Sequence, residues 1–261
     1  MLKQRIAAQE PLIGTFLKTP HYALVEVLAQ TGVDFVVLDA EHGPFTLSEI
    51  DSCVLAARAA SLPILVRLVE GTPANVLRVL DMGASGIVVP QVSDADQAAA
   101  IVRSTRYGEK GRGFAGTTRA GGYGRLPASA LAEIAMQAVV IVQIEDREGV
   151  KNADEIAATP GVDACFVGRA DLAMSQGLAD PNAPEIERAT SAVFEQCKRH
   201  DVAPMVFVAG MQDCHQWFER GARLIAVGSE HKAIQDYFHL ERSDAAKPQR
   251  ENSGGRLAPT A

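Results

Sequence analysis

The feature that most constrains the fold is a regular alternation, along most of the chain, of short apolar runs with patterns typical of amphipathic helices. Such alternation indicates β–α–β units, in which parallel strands form a buried sheet that helices cover. Eight predicted strands begin at Leu12, Phe35, Pro63, Gly86, Val139, Asp163, Pro204 and Leu224. Because a predicted helix follows each strand, the 261 residues are expected to form a single-domain (β/α)8 TIM barrel.

The boundaries of the helices follow from the same patterns and from the glycine and proline residues beside them. The predicted helices span residues 23–30, 47–60, 72–83, 93–105, 126–136, 150–158, 184–200, 211–220 and 230–237. We assign residues 1–242 to the barrel and predict a flexible tail at 243–261, which is rich in Pro, Gly, Ser and charge. Residues 107–124 interrupt the alternation with seven glycines, and they are expected to form a functional or mobile loop.

Carboxylate side chains follow two neighbouring predicted strands at their carboxyl ends. The apolar run that starts at Val139 ends in Gln143 and Glu145, and the period of two in a strand places both on one side. The next apolar run is followed by Asp171. Either carboxylate alone is explained more simply as a solvated loop residue or a helix cap. The pair favours a site for a hard cation such as Mg²⁺.

Further polar residues follow the second and third predicted strands, at the end of the barrel where active sites of this fold lie. Asp39, Glu41 and His42 follow the second strand, and Arg67 lies near the end of the third. A guanidinium group in an apolar strand needs an anionic partner, which is either a substrate or the carboxylate of Asp39 or Glu41. A histidine after a strand is more often a surface residue than a base, but its ordinary pKa suits proton transfer.

These residues together suit the cleavage of a carbon–carbon bond next to a 2-oxo acid. A divalent ion chelates the carboxylate and keto oxygens of such an acid and stabilises the enolate that forms when the bond breaks. Arg67 would add fixed positive charge beside the developing oxyanion. His42 would move the hydroxyl proton, directly or through a water molecule.

Charge and composition argue against several other classes of protein. The net charge is −7 without a basic block, so nucleic-acid binding is not expected. The apolar runs are too short to span a bilayer, and the N-terminus lacks the apolar core of a signal peptide. The four cysteines form no Cys-x-x-Cys pair and are expected to be buried free thiols. We therefore predict a cytoplasmic protein that does not bind a membrane.

Short motifs spread along the chain resemble the HpcH/HpaI family of metal-dependent, class II 2-oxo-acid aldolases. The longer ones are LDAEHGP at residues 38–44 and VGRADL at residues 167–172. Shorter ones occur at residues 66–68, 80–84, 106–108, 111–113, 143–145 and 226–229. Each motif alone is short, but the ordered set runs over roughly residues 12–238 and is quite specific.

The resemblance implies a (β/α)8 barrel that cleaves or forms a 4-hydroxy-2-oxo acid, such as 4-hydroxy-2-oxoheptanedioate or 2-dehydro-3-deoxyglucarate. The products of cleavage are pyruvate and an aldehyde, reached through a metal-bound enolate with Mg²⁺, Mn²⁺ or Co²⁺ as the cofactor. Members of the family are commonly hexamers made of two trimers, with the last helix exchanged between subunits. A homo-oligomer is therefore expected.

The resemblance also implies roles for individual residues. Glu145 and Asp171 match the metal ligands, while His42 and Arg67 match the catalytic histidine and arginine. Asp81 matches a catalytic aspartate that the family places near the histidine of a neighbouring subunit. The residues expected to contact the substrate are Gln143, Gly168, Ala170 and, at the edge of the pocket, Phe16.

Three positions depart from the family pattern. The chain has Phe16 where the family often has Trp, Arg169 where it has Pro, and Glu230 where it has Asp. Because Phe16 and Arg169 flank the expected pocket, the identity of the aldehyde stays open, whereas the pyruvate half of the substrate does not.

Three other functions compete with this interpretation. The nearest is a citrate-lyase-β-like or malyl-CoA-lyase-like enzyme that acts on a thioester, although the chain has no added basic segment for coenzyme A. A second is a Schiff-base aldolase that uses Lys18, the only lysine at the end of a predicted strand. A third is a barrel that binds an oxo acid without turning it over. Loss of His42 or Arg67 would mark such a protein, and both are present.

Overall fold

The computed structural model describes residues 1–245, and its eight parallel strands form a closed barrel in the order of the sequence. The strands are β1 (Leu12–Leu17), β2 (Phe35–Asp39), β3 (Ile64–Arg67), β4 (Gly86–Val89), β5 (Val139–Ile144), β6 (Ala164–Val167), β7 (Ala203–Val208) and β8 (Leu224–Ser229). Every predicted strand is present close to its expected position. The predicted (β/α)8 barrel is therefore confirmed.

The strands are apolar along their length because both of their faces are buried. In β5, Val139 and Ile141 pack among the side chains that fill the barrel, while Val140 and Val142 pack towards the helices. Gln143 is the next residue with the inward orientation, since side chains of a strand alternate between its two faces. The same alternation turns the last residues of β2 and β3 inward. Polar side chains therefore close the carboxyl end of the barrel above an apolar interior.

Helices surround the barrel. They are α1 (Leu2–Ala7), α2 (Tyr22–Leu28), α3 (Leu47–Ala59), α4 (Pro73–Asp81), α5 (Ala95–Thr105), α6 (Ala128–Met136), α7 (Arg147–Lys151), α8 (Ala153–Ala157), α9 (Arg169–Ser175), α10 (Pro184–Arg199), α11 (Cys214–Glu219) and α12 (Glu230–Ala245). Among residues 1–245, none of these helices is both long and apolar enough to cross a membrane. The four cysteines are buried and unpaired, as predicted.

Several helices differ from the prediction. Helices α1 and α9 were not predicted, because their six and seven residues show too little of the helical period to be distinguished from a loop. The helix predicted over residues 150–158 is divided into α7 and α8, which meet at Asn152. Helix α12 continues to Ala245, so the predicted tail begins inside a helix. Residues 246–261 lie outside the described part of the chain.

The glycine-rich loop links the end of α5 to the start of α6. It lies at the end of the barrel opposite to the carboxyl ends of the strands, because the helices run back from those ends and α5 finishes at the other one. It packs on α3 and α4. The guanidinium of Arg119 pairs with the carboxylate of Asp51 at 2.5 Å and donates to the carbonyl oxygen of Met82 at 3.1 Å. The N–H of Ala120 donates to the carbonyl oxygen of Asp81 at 3.2 Å. Within one chain, this loop is therefore not a lid over the polar end of the barrel.

Candidate active site

A cavity of about 640 Å³ opens at the carboxyl ends of the strands. It brings together most of the residues predicted from the sequence, namely Phe16, His42, Arg67, Gln143, Gly168, Ala170 and Asp171. Glu145 does not line the cavity itself, but its carboxylate contacts Gln143, which does. Asp81 is not part of the cavity within one chain.

Arg67 is held by a bidentate ion pair inside the barrel. The parallel register of β2 and β3 places Asp39 beside Arg67. The Nε and Nη2 atoms of Arg67 donate to the two carboxylate oxygens of Asp39 at 2.9 and 2.8 Å. The guanidinium carbon also lies 4.8 Å from the centre of the Phe16 ring. Asp39 is thus the main anionic partner of Arg67, and the ion pair and the ring together fix the orientation of the guanidinium at the cavity.

Lys18 contributes a second positive charge to the same carboxylate. Its Nζ atom lies 2.9 Å from Oδ2 of Asp39. Burial would raise the pKa of Asp39, but hydrogen bonds from Arg67 and Lys18 outweigh burial and lower this pKa to about 2. An ammonium group held in an ion pair is a poor nucleophile, since a Schiff base forms from the neutral amine. The geometry therefore disfavours the Schiff-base mechanism.

Glu145 is in a contrasting environment. The Nε2 atom of Gln143 donates to one carboxylate oxygen, and the backbone N–H of Gln91 donates to the other at 2.8 Å. Burial raises the pKa of Glu145 to about 7, against the effect of these two hydrogen bonds, and the charges of Asp171 and Glu41 raise it further. Burial likewise raises the pKa of Glu41. The charge of Arg67 opposes that rise, since its Nε atom lies 3.3 Å from Oε2 of Glu41. Three carboxylates, Glu41, Glu145 and Asp171, therefore lie in one region, where the nearby cation Arg67 is already paired with Asp39.

The donor atoms in this region fit a divalent cation. Oε1 of Gln143 and Oε2 of Glu41 are buried oxygens without a hydrogen-bond partner among the described residues. No group of three or more His, Cys, Asp or Glu residues within 1–245 has the arrangement of a complete metal site. Mg²⁺ and similar ions are commonly held by one or two carboxylates, with substrate and water as the other ligands. Glu145 and Asp171 suit that kind of site.

Glycine is required beside this carboxylate for steric reasons. A Cβ atom built on Gly168 would lie 2.8 Å from Oε2 of Glu145 and 3.0 Å from Nε2 of Gln143. A side chain at this position would displace the hydrogen-bonded pair. The turn after β2 needs a glycine for the same reason, because a Cβ atom on Gly43 would lie 2.4 Å from the carbonyl oxygen of Asp39.

His42 lies at the mouth of the cavity. Its backbone N–H donates to Oδ1 of Asp39 at 3.2 Å, so the ion pair also anchors the turn that carries it. Its side chain is 56% exposed, and Nε2 is 3.8 Å from Oε2 of Glu41. The imidazole is therefore accessible to a bound molecule and to water.

Asp81 lies at the end of α4, beside the glycine-rich loop. Its Oδ1 atom is buried without a hydrogen-bond partner among the described residues, and the nearest guanidinium nitrogen of Arg112 is 3.9 Å away. Burial raises the pKa of Asp81, and the charge of Arg112 opposes that rise. The structure of one chain does not bring Asp81 to His42. Their predicted proximity requires a second copy of the chain.

Glu230, the third departure from the family pattern, has a structural role. Its buried carboxylate accepts hydrogen bonds from the backbone N–H groups of Lys18, at 2.9 Å, and Thr19, at 2.5 Å. These bonds attach the start of α12 to the segment that follows β1. Glu230 therefore holds the segment from which Lys18 reaches Asp39.

Part of the cavity was not predicted. Trp217 of α11 lines it, together with Phe166, Phe207, Glu187 and Arg220. Trp217 belongs to a helical pattern and has no strand-end position to mark it, although it is the only tryptophan in the chain. The contact between Gln91 and Glu145 could not be predicted from the residue types either, because Gln91 contacts the carboxylate through its backbone N–H and not through its side chain.

Comparisons with known proteins agree with this geometry. The family model described as HpcH/HpaI aldolase/citrate lyase matches residues 12–236. The 5-keto-4-deoxy-D-glucarate aldolase of Klebsiella pneumoniae subsp. pneumoniae is 36% identical over 230 residues, which cover 87% of this chain and 90% of that protein. The hydroxypyruvate/pyruvate aldolase of Paraburkholderia phytofirmans is 36% identical over 237 residues, which cover 88% and 91% of the two chains.

A solved structure supports the same assignment. The crystal structure of an HpcH/HpaI aldolase/citrate lyase family protein from Burkholderia cenocepacia J2315 superposes with a TM-score of 0.90 and 35% sequence identity. The superposition covers 94% of this chain and 99% of that one. The family model and the relatives extend over nearly the whole barrel, including both strand ends that carry the carboxylates. The chain therefore belongs to the HpcH/HpaI aldolase/citrate lyase family.

Proposed function

We propose that this carbon–carbon lyase is a divalent-metal-dependent pyruvate aldolase. It cleaves a 4-hydroxy-2-oxo acid into pyruvate and an aldehyde, or joins the two. The observation that carries the proposal is the group of carboxylates formed by Glu145, Asp171 and Glu41, in which the pKa of Glu145 is raised to about 7. The firmly held guanidinium of Arg67 lies 3.3 Å from Glu41 of this group. The printed names of two relatives, a 5-keto-4-deoxy-D-glucarate aldolase and a hydroxypyruvate/pyruvate aldolase, support the same chemistry.

Glu145 and Asp171 are the proposed ligands of the ion, which is Mg²⁺, Mn²⁺ or Co²⁺. A divalent cation held there supplies Lewis acidity that stabilises negative charge on the oxygen of a 2-oxo acid. Gln143 donates to Glu145, and its own buried carbonyl oxygen has no hydrogen-bond partner among residues 1–245. Gly168 and Ala170 leave room for the pyruvate part next to these groups.

Arg67 provides positive charge that is oriented before the substrate binds. Its ion pair with Asp39 fixes the guanidinium, so no reorganisation is needed when the keto oxygen becomes negative. Phe16 covers one side of the guanidinium and limits its contact with water. A charge fixed in this way favours the enolate over the neutral keto acid.

His42 is the proposed proton carrier. In cleavage, the proton of the C4 hydroxyl leaves to His42 or to a water molecule beside it, the C3–C4 bond breaks, and its electron pair moves into the enolate of pyruvate. The C4–O bond becomes the carbonyl of the released aldehyde. A proton then adds to C3, which becomes the methyl group of pyruvate.

The assembly is a homo-oligomer in this proposal, with the hexamer as the expected form. Helix α12 exposes Ile234, Tyr237, Phe238 and Leu240, which are at least half exposed in one chain. Asp81 has a buried oxygen without a hydrogen-bond partner among residues 1–245. A neighbouring subunit would cover the apolar side chains and bring a His42 to Asp81.

Stripping the metal tests the proposed function. Protein dialysed against EDTA should not condense pyruvate with any of a panel of aldehydes, and Mg²⁺, Mn²⁺ or Co²⁺ should restore the reaction. Borohydride added with pyruvate should leave Lys18 unmodified. Condensation without metal, together with a borohydride adduct on Lys18, would contradict the proposal in favour of a Schiff base. Turnover of a coenzyme A thioester, without condensation of any aldehyde, would favour the citrate-lyase-like alternative.

A further inference from the structure

The outer part of the cavity contains two arginines that stack on one tryptophan. The guanidinium carbon of Arg169 lies 4.5 Å from the centre of the Trp217 ring, and that of Arg220 lies 4.1 Å from it. Arg169 is the first residue of α9, after β6, whereas Trp217 lies in α11, after β7. The stack therefore joins the segments that follow β6 and β7 at the carboxyl end of the barrel.

The two arginines differ in their partners. Nη1 of Arg220 lies 3.3 Å from Oε1 of Glu187, so its charge is paired within the protein. Nη2 of Arg169 donates to Oδ1 of Asn182 at 2.9 Å, but no carboxylate lies within 4.0 Å of its guanidinium nitrogens among residues 1–245. The Nε atom of Arg169 is buried and has no hydrogen-bond partner in the same range. A half-buried cation with an unsatisfied donor calls for an acceptor from a ligand.

The position of Arg169 connects this acceptor to the proposed reaction. Arg169 lies between Gly168 and Ala170 in the sequence, and all three line the cavity that contains Arg67 and Gln143. At roughly 30 Å³ per non-hydrogen atom, the share of a water molecule in the liquid, the six such atoms of pyruvate need about 180 Å³ or less. The cavity of about 640 Å³ therefore has room for a second reactant beyond the pyruvate part.

The walls around Arg169 show which kind of second reactant fits. Phe16 lies between Phe166 and Phe207, with ring centres 6.3 and 6.0 Å away, and the three rings form an apolar strip inside the cavity. An aliphatic chain would lie along this strip, and the stack on Trp217 lines the same cavity. Glu187 and Asp213 also line the outer part. Because carboxylates already lie in this part of the cavity and Glu187 pairs with Arg220, a singly charged planar group suits Arg169 better than a phosphate dianion.

We propose that Arg169, supported by Trp217, is the specificity-determining residue that binds a carboxylate at the far end of the aldehyde half of the substrate. This inference rests on the proposed aldolase function. It predicts a preference for aldehydes that carry a terminal carboxylate and, in the cleavage direction, for 4-hydroxy-2-oxo diacids.

The test compares two aldehydes of the same shape in condensation with pyruvate, in the presence of Mn²⁺. One is 4-oxobutanoate, and the other is 4-methylpentanal, in which two methyl groups replace the carboxylate oxygens. The parent protein should have the higher kcat/KM for 4-oxobutanoate. Arg169→Met should reduce that kcat/KM by roughly ten- to one-hundred-fold, chiefly through KM, because one hydrogen-bonded charge pair is lost. The same change should alter kcat/KM for 4-methylpentanal by no more than about twofold.

Two further variants act as controls. Arg220→Met removes the other guanidinium that stacks on the Trp217 ring. In this variant, the ratio of kcat/KM for the two aldehydes should stay within about threefold of the ratio in the parent protein. Arg169→Lys keeps the charge without the planar fork and should restore part of the preference. A parent without a preference for 4-oxobutanoate, or an Arg169→Met variant that keeps it, would overturn the inference. A stronger preference for glyceraldehyde 3-phosphate, lost in Arg169→Met, would overturn the assignment to a carboxylate.

The exchange of the methyl protons of pyruvate in D₂O, without any aldehyde, separates this inference from the proposed function. Arg169→Met should exchange these protons at the rate of the parent, because the change leaves the pyruvate part untouched. A parent that neither exchanges nor condenses would contradict the aldolase function itself. Loss of exchange in Arg169→Met, with an unchanged melting temperature, would place Arg169 on the pyruvate half and overturn the inference alone.

Discussion

Two buried carboxylates at the same end of the barrel, Asp39 and Glu145, differ in how their charge is balanced. Asp39 is fully buried between the guanidinium of Arg67 and the ammonium of Lys18, and its pKa is lowered to about 2. Glu145 is 8% exposed, lies near two further carboxylates, and has a pKa raised to about 7. The charge of Asp39 is balanced by side chains of the protein. No cationic side chain among residues 1–245 lowers the pKa of Glu145, and in the proposed function a bound cation balances its charge.

The two environments have opposite energetic consequences. One pH unit of displacement in a pKa corresponds to roughly 1.4 kcal/mol. The ion pairs of Asp39 therefore stabilise the folded state by about 2 kcal/mol, whereas ionised Glu145 costs the folded state about 3 kcal/mol. Asp39 therefore positions Arg67 and supports the fold, whereas ionised Glu145 lowers the stability at the place where, in the proposed function, a cation binds. Substitutions that separate activity from stability test this division.

The largest effect is expected from Glu145→Gln, which removes one proposed ligand. An amide is a poor ligand for a hard cation, so condensation should fall on the order of 10⁴-fold, which corresponds to several kcal/mol. The melting temperature in EDTA should stay equal or rise, because a buried charge near two other carboxylates is removed. Steady-state rates with Mn²⁺ and thermal melts measure both effects. Glu155→Gln, an exposed position of α8, is the control and should change neither.

A change at His42 should affect turnover without affecting the cation. His42→Ala should lower aldol cleavage by roughly 10²- to 10⁴-fold, because a positioned proton carrier is lost. Mn²⁺ binding, measured by isothermal titration calorimetry, should stay within about threefold of the parent, since Glu145 and Asp171 are unchanged. His215→Ala removes a side chain that is 86% exposed and serves as the control. A His42→Ala variant that cleaves at the rate of the parent would exclude His42 from the mechanism.

The Asp39 environment should respond in its stability. Asp39→Asn leaves Arg67 buried without its carboxylate partner and should lower the free energy of unfolding by roughly 3–5 kcal/mol. Asp51→Asn breaks another aspartate–arginine pair, the one with Arg119. The side chain of Asp51 is 40% exposed. Exposed pairs are worth about 0–1 kcal/mol, so this control should lose far less. Urea unfolding at neutral pH compares the two. Equal losses would mean that burial of the Asp39 pair does not matter.

The pH dependence of stability gives a smaller effect with a definite sign. The pKa of Asp39 is about 2 in the folded protein against an ordinary value of 3.8, so its ionised form is favoured by folding. The contribution of Asp39 is therefore complete above about pH 4 and is lost as the pH falls towards 2. The difference in unfolding free energy between parent and Asp39→Asn should be constant from pH 5 to 7. It should shrink by about 2 kcal/mol between pH 4 and pH 2. A difference that grows on acidification would contradict the assignment.

The sequence predicted which residues lie at the strand ends of this site better than it predicted their hydrogen-bond and ion-pair partners. Periodicity located the ends of β2, β3, β5 and β6, and so identified His42, Arg67 and Glu145, because the ends of parallel strands must meet at one edge. The partner of Arg67 stayed open between two carboxylates, since the choice depends on the register of β2 against β3. The support of Glu145 by Gln91 was hidden for a similar reason, because a backbone N–H has no residue type to recognise.

Features that depend on distant parts of the chain were harder to predict. Trp217 belongs to a helix, and its contact with Arg169 arises only when the loops after β6 and β7 meet. The position of Asp81 beside the histidine of another subunit was inferred from the family resemblance alone and remains a prediction, since one chain keeps it next to the glycine-rich loop. Short helices such as α1 and α9 have too few residues for periodicity to be measured.

The central claim is that the carboxylates around Glu145 hold a cation that stabilises the enolate of pyruvate, and hydrogen exchange tests it most directly. Pyruvate alone in D₂O, with the protein and Mg²⁺, Mn²⁺ or Co²⁺, should exchange its methyl protons for deuterium, as followed by proton NMR. EDTA should stop the exchange, added metal should restore it, and Glu145→Gln should behave like the EDTA-treated parent. Exchange that continues in EDTA at the rate of the metal-loaded protein, or in Glu145→Gln at the rate of the parent, would contradict the account.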